Sequence, residues 1–135
     1  MNKGLLVSIH RHWLWADRMQ RTFFASLNPN LKEQDAKDIF ISNWGMCMCR
    51  WYGLLFAVCE GLREGKFTVP TVQAEIDGIY KDLKLFRHAV FHVQKKYWSP
   101  KLFRIMLDKT SPFTIKRIHD EIGNWLLTQL GGNAG

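Results

Sequence analysis

One segment that is apolar on nearly every helical face constrains the fold of this chain most. From Trp44 to Leu62, hydrophobic side chains fall all round a helix, so the segment requires neighbours on several sides rather than one. We therefore predict that a helix over roughly residues 35–64 is the central element. Its glycines recur eight residues apart, at Gly45, Gly53 and Gly61. Eight residues is close to two turns, so these glycines would allow a neighbouring helix to approach closely on one side.

Helical spacing predicts two further helices near the ends of the chain. Apolar residues recur every three or four positions from Leu5 to Leu27, and the sequence NPN at 28–30 ends that pattern. Near the other end, Ser111 and Pro112 form an N-cap and first-turn pair. An apolar stripe follows at Ile115, Ile118, Ile122, Trp125 and Leu126, and the glycines at 131 and 132 end the helix.

The remaining helix follows the main loop, GKFTVP at 65–70. Thr71 with Gln73 or Glu75 can start this third helix, Gly78 divides it, and its main part runs to about Tyr97. The sequence SPK at 99–101 turns the chain into a short helix through residue 107. We find no strand-like alternation and no repeat, so we predict an all-α, antiparallel bundle of four main helices plus short helices.

Length and composition predict a single cytoplasmic domain over residues 1–135. Hydrophobic residues make up 47% of the chain and charged residues 23%, which is typical of globular proteins. The three cysteines, Cys47, Cys49 and Cys59, lie in one apolar stretch and imply buried thiols rather than disulfides. The longest apolar run, Trp51 to Cys59, is far shorter than the ~20 residues of a spanning helix. We therefore expect no membrane partner.

The positive charge is concentrated in one part of the chain. The formal net charge is +7, but residues 81–117 carry ten Lys and Arg against Asp82 and Asp108. The other residues are close to neutral, with nine basic and ten acidic side chains. Concentrated basicity attracts polyanions, so nucleic acid is the first partner to consider, beside a lysine-rich face that serves solubility alone.

The segment LKLFRHAVFHVQKKYW at 83–98 has two distinct helical faces. Leu85, Phe86, Ala89, Val90, Val93 and Tyr97 share the side that must face the core. The opposite side carries Lys84, Arg87, His88, Phe91, His92 and Lys95. This polar side has three interpretations: a solvated basic face, a metal site and a site for phosphodiester chemistry. His88 and His92 are spaced to share one zinc ion, but no motif supplies the further ligand that zinc needs, so we expect no metal or other cofactor.

Phosphodiester cleavage without metal needs two kinds of side chain, and both occur here. A group that titrates near neutrality must exchange protons with the 2′-hydroxyl or the leaving 5′-oxygen, and histidine fits that need. A permanent cation must hold the phosphate, for which the arginine fork suits better than lysine. Arg87, His88 and His92 supply these groups.

The sequence Arg87-His88-Ala89-Val90-Phe91-His92 resembles the R-x(4–6)-H motif of HEPN domains (higher eukaryotes and prokaryotes nucleotide-binding). In that family the arginine is commonly followed by Asn or Asp, whereas this chain has His88. The segments RWYGLLFAVCEG at 50–61 and FRHAVFHVQKKYWSPKL are also similar to HEPN-like bacterial proteins, so the resemblance covers about residues 40–107.

The resemblance implies a helical bundle that acts on RNA as a metal-independent endoribonuclease, a hydrolase of toxin–antitoxin, phage-defence or RNA-processing systems. It further implies a homodimer whose motifs meet in one cleft, with an antitoxin protein as a possible partner. Carried over to this chain, Arg87 would bind the phosphate, His92 would act as general acid or base, and His88 would assist. Phe91, between the functional residues, would pack against its twin at the dimer interface.

The other candidate residues receive simpler interpretations. Lys84, Lys95, Lys96 and Trp98 are predicted to contact RNA, because basic residues beside an aromatic ring suit a single strand. The remaining tryptophans are predicted to anchor the core or an interface rather than to stack on bases, and the remaining histidines to be surface or capping residues. These are Trp13, Trp15, Trp44, Trp51 and Trp125, and His10, His12 and His119. Two alternatives stay open: a non-catalytic scaffold or RNA-binding module, and a small zinc-binding bundle.

Overall fold

Four α-helices form the described part of the protein. A computed structural model describes residues 2–26, 43–91 and 111–131. Its helices are α1 (Lys3–Ser26), α2 (Asn43–Glu64), α3 (Gln73–Phe91) and α4 (Ser111–Gly131). These ranges contain no strand, so the predicted all-α class is confirmed. No helix within them combines the length and apolarity that crossing a membrane requires.

Neighbouring helices run antiparallel. Ile9 near the start of α1 lies against Gly61 near the end of α2, whereas Phe24 near the end of α1 contacts Trp51. The pairs Phe56–Tyr80 and Tyr52–Phe86 show the same reversed order between α2 and α3. Helix α4 runs antiparallel to α1, as the contacts Trp13–His119 and Phe24–Phe113 show. It is also antiparallel to α3, which it meets through the pairs Thr71–Glu121 and Glu75–Arg117.

The core lies largely where the apolar periodicity predicts it, except that on α3 Leu83 is buried while Leu85, predicted on the core side, is only half-buried. Helix α2 packs against both α1 and α3, and its side chains also reach α4, which confirms it as the central element. Trp51, Tyr52, Leu55 and Phe56 are among its fully buried residues. The predicted stripe of α4 is buried as well, apart from a half-buried Trp125.

Two details at the start of α3 differ from the sequence prediction. Gly78 does not divide the helix, because α3 continues from Gln73 to Phe91 without a break. The Gln73 side chain accepts a hydrogen bond from the Val69 backbone N–H at 2.9 Å and so helps to start the helix. Thr71 instead donates its hydroxyl to Glu121 of α4 at 3.0 Å. The predicted turns at 28–30 and 99–101, the short helix through 107, and the parts of the predicted helices at 35–42 and 92–97 lie outside the described residues.

Several glycines allow side chains of other helices to pack directly against the backbone. A Cβ on Gly61 would lie 2.8 Å from a carbon of Ile9, and a Cβ on Gly53 would lie 2.6 Å from the Phe91 ring. A Cβ on Gly123 of α4 would overlap the Trp13 ring. These positions therefore need glycine because a neighbouring side chain fills the place of the missing methyl group.

Two matched substitutions test this packing. Gly78→Ala adds a methyl where nothing lies within 4 Å, so helix propensity should raise the free energy of unfolding by about 0.5–1 kcal/mol. Gly123→Ala adds the same methyl against Trp13 and should lower the free energy of unfolding by about 1–3 kcal/mol. Urea unfolding followed by far-ultraviolet circular dichroism measures both. If both substitutions shifted the free energy of unfolding in the same direction, the packing described for Gly123 would be contradicted.

Candidate nucleic-acid interface

A groove of about 600 Å³ lies along the outward side of α2. Helix α2 forms its floor, and helices α1 and α3 form its two walls. The floor residues are Arg50, Gly53, Leu54 and Ala57. The wall residues are His12, Trp15, Arg18 and Met19 from α1, and Arg87 and Phe91 from α3.

The small floor residues explain why a groove forms here. Helix α2 is buried on most of its circumference, but Met46, Arg50 and Glu60 on this side are exposed. Between them, Gly53 and Ala57 leave little side-chain volume above the helix. The Phe91 ring of α3 packs over Gly53. Helix α3 therefore forms a wall beside this glycine, and the surface of α2 lies below that wall.

Three arginines from three different helices give the groove its charge. Arg18, Arg50 and Arg87 all line it, and no carboxylate is among the described residues that do so. Within the described ranges, none of these three guanidinium groups has a carboxylate within 4.0 Å. Three other described arginines are paired with carboxylates: Arg21 with Asp17, Arg63 with Asp77 and Arg117 with Glu75. The groove therefore presents unpaired positive charge, which favours an anionic ligand.

Two aromatic side chains stand on opposite walls of the groove. Trp15 on α1 is 50% exposed and Phe91 on α3 is 56% exposed. The Trp15 ring is supported by His12, which meets it edge-on at 5.1 Å, and by the Arg11 guanidinium at 5.5 Å. Exposed rings beside unpaired cations are the combination that single-stranded nucleic-acid sites use.

The structure brings part of the predicted site to this groove. Arg87 lines it, and its guanidinium lies 5.6 Å from the centre of the buried Phe56 ring. Lys84 and His88 are exposed on α3 but are not among the residues that line the groove. Phe91 is exposed as predicted, yet it also packs on Gly53 of its own chain. The predicted site residues His92, Lys95, Lys96 and Trp98 lie outside the described residues.

The sequence prediction missed the contribution of α1 and α2. The sequence predicts that Trp15 anchors the core or an interface; the structure excludes the core, because half of the Trp15 surface is exposed in the groove wall. Arg50 lies in α2, whose charges balance, and Arg18 lies in α1, which carries four basic side chains against Asp17; both helices lie outside the segment 81–117 in which the sequence concentrates its basic residues. The sequence does contain one indication for Arg50. A cation within the most apolar segment of the chain must reach solvent, so Arg50 marks an exposed side of that helix.

His119 contradicts its predicted surface role, because its side chain is completely buried. Its Nε2 lies 3.0 Å from Asp17 Oδ1, and Trp51 Nε1 donates to its Nδ1 at 3.4 Å. The Trp13 ring stacks on the imidazole at a centroid distance of 4.7 Å. Trp13 Nε1 also donates to the His119 carbonyl oxygen at 2.9 Å. Sequence spacing could not reveal this, since the partners are supplied by α1 and α2.

The His119 network has a structural rather than a catalytic character. Burial lowers the pKa of His119 below its usual 6.5, with the hydrogen bond to Asp17 opposing the shift. The ring is therefore neutral at pH 7, with Nε2–H donating to Asp17 and Nδ1 accepting from Trp51. Both ring nitrogens are engaged and the side chain has no exposed surface. The imidazole consequently cannot reach a substrate.

Two of the three thiols are buried, and the described residues contain no cluster of metal ligands. Desolvation raises the pKa of the Cys49 and Cys59 thiols to about 12. All three cysteines are free, but Cys47 is half-buried where the sequence predicts a buried thiol. Within residues 2–26, 43–91 and 111–131, no three His, Cys, Asp or Glu side chains are grouped so that they could hold a metal ion. Glu60 is exposed and forms no hydrogen bond among these residues.

The His119 network predicts that acid destabilises the bundle. As the pH falls below about 6.5, the unfolded chain takes up a proton at this histidine before the folded chain does. The free energy of unfolding should therefore decrease with falling pH from about 6.5 down to the lowered pKa of the folded state. Urea unfolding between pH 7 and pH 5 measures the slope. His119→Gln should be less stable at pH 7 and should show a smaller slope, and an unchanged slope in this variant would contradict the prediction.

Comparison with known proteins gives no relative for this chain: no protein-family model, no curated protein and no solved structure matches it. The resemblance to HEPN domains therefore rests on the sequence motif, and the function has to be inferred from the groove.

Proposed function

We propose that this protein binds RNA in the groove on α2 and cleaves it with Arg87 and His92. The observation that carries the proposal is the set of three arginines without ion pairs around a groove whose described lining contains no carboxylate. Holding such cations together without counter-charges is unfavourable unless an anionic ligand joins them. The exposed ring of Trp15 adds a surface for a base, which distinguishes a nucleic acid from a simple anion.

Arg87 links the groove to the predicted chemistry. It is the arginine of the R-x4-H sequence, and its side chain lies in the groove. In the proposed reaction the 2′-oxygen of a ribose attacks the adjacent phosphorus while the bond from phosphorus to the 5′-oxygen breaks. His92 accepts the proton of the 2′-hydroxyl, and water supplies a proton to the leaving 5′-oxygen. Arg87 stabilises the charge that develops on the phosphate. The products are a 2′,3′-cyclic phosphate end and a 5′-hydroxyl end.

We also propose that the active form is a homodimer. Phe91 remains 56% exposed although one side of its ring packs on Gly53, so a second copy could cover the rest. Such a contact at the end of α3 would place the two R-x4-H motifs close together. Sedimentation measures this directly: a single monomeric species at micromolar concentration would contradict the dimer but would leave the RNA-binding proposal intact.

The second candidate function is RNA binding without cleavage. It is favoured by the composition of the groove, whose described lining holds three arginines and two aromatic rings but only one histidine, His12. His12 Nδ1 is 2.9 Å from the Ser8 carbonyl oxygen, so one ring nitrogen is occupied within its own helix. These features provide affinity for RNA and do not themselves provide a pair of proton-transfer groups.

An RNA-cleavage assay in the presence of EDTA separates the two candidates. We expect wild-type protein to yield 2′,3′-cyclic phosphate ends. His92→Ala should lose about 10²–10⁴-fold in rate with RNA affinity retained, because only a proton-transfer group is removed. Arg87→Gln should lose both affinity and about 10²–10³-fold in rate.

The matched control for these variants is Lys81→Gln, which removes one exposed charge from α3 outside the groove lining. Its cleavage rate and affinity should remain close to wild type. Binding without cleavage by wild-type protein would support the second candidate function and overturn the first. Absence of both binding and cleavage would overturn the proposed function altogether.

A further inference from the structure

We propose that the groove is a track for an unpaired RNA strand, in which Arg18, Arg50 and Arg87 hold successive phosphates and Trp15 stacks on a base. This inference rests on the proposed RNA-binding function. It adds that the RNA is single-stranded, how many nucleotides are bound, and that residues of α1 and α2 contribute. The R-x4-H motif contains none of those α1 and α2 residues.

The length of the track follows from the floor of the groove. Arg50 and Ala57 mark the ends of the lining part of α2, and the seven-residue step between them corresponds to about 10 Å at ~1.5 Å per residue. A stacked strand advances about 3.4 Å per nucleotide, so the floor accommodates about three nucleotides. The number of unpaired arginines around it agrees with one guanidinium per phosphate.

The three arginines are distributed so that one strand can meet all of them. Arg50 rises from the floor, Arg18 from the α1 wall and Arg87 from the α3 wall. A chain of phosphates can meet cations from three helices with one phosphate for each. The volume of about 600 Å³ would also hold a mononucleotide, so competition by a mononucleotide is part of the test.

The aromatic walls determine that the strand is unpaired. His12 and Arg11 both contact the Trp15 ring beside the groove, and half of the Trp15 surface stays exposed. In a duplex the base faces are covered by neighbouring bases and cannot reach such a ring. An unpaired base can stack on it, and stacking on an aromatic ring tolerates any sequence.

Fluorescence anisotropy with a short, labelled 2′-O-methyl oligouridylate tests the track, because the blocked 2′-oxygen prevents cleavage during the measurement. For wild type, log Kd should rise with log salt concentration with a slope of at least about 2, since each phosphate contact contributes ~0.7 for a single strand. Arg18→Gln and Arg50→Gln should each weaken binding and lower the slope by about 0.7. Trp15→Ala should weaken binding about tenfold or more with the slope unchanged.

Two controls match these variants in charge and in exposed aromatic surface. Lys81→Gln removes a charge from α3, and Phe113→Ala removes a 59% exposed ring from α4. Neither residue lines the groove, so both variants should bind as wild type does. Far-ultraviolet circular dichroism confirms that each variant is folded before its binding is compared.

The outcomes distinguish failure of the track from failure of the proposed function. Binding that is lost in Arg87→Gln but unchanged in Arg18→Gln, Arg50→Gln and Trp15→Ala would overturn the track and leave the proposed function standing. A duplex of the same length that binds equally well, or adenosine monophosphate that competes as strongly as the oligonucleotide, would also overturn it. No binding of any RNA by wild-type protein would overturn the proposed function itself.

Discussion

The burial of α2 is the constraint on which the rest of the structure depends. This helix carries apolar side chains round most of its circumference, and three other helices cover them. One outward strip stays uncovered, and there the chain places Arg50 and the small residues Gly53 and Ala57. The groove is thus a consequence of packing. The side of α2 that no other helix covers forms the floor between α1 and α3.

The buried histidine fixes the wall that α1 contributes. Asp17 and Trp13 on α1 both contact His119 of α4, and Trp51 of α2 contacts it from another side. Because these α1 residues face inward, helical periodicity turns Trp15 and Arg18 toward the groove. A polar network inside the bundle, whose members do not belong to the predicted motif, therefore helps to orient the cation and the ring that we assign to RNA binding.

The distribution of charged residues along the sequence does not predict the charge of the groove. The basic segment at 81–117 supplies only Arg87 to the described lining, while Arg18 comes from α1, which is itself basic, and Arg50 from α2, whose charges balance. The ion pairs explain the difference. Arg63, Lys116 and Arg117 are each paired with a carboxylate elsewhere in the bundle, so their positive charge is largely compensated. The unpaired arginines dominate the local potential for this reason.

Periodicity in the sequence determined the helical class, the central place of α2 and the core faces of α1, α3 and α4, because burial of an apolar stripe depends mainly on spacing within one helix. The sequence also identified Arg87 as a candidate for binding phosphate. Only the tertiary structure decided that Arg18, Arg50 and Trp15 join it, and that His119 is buried rather than exposed. Those facts depend on which helices become neighbours, and a pattern within a single helix does not contain that information.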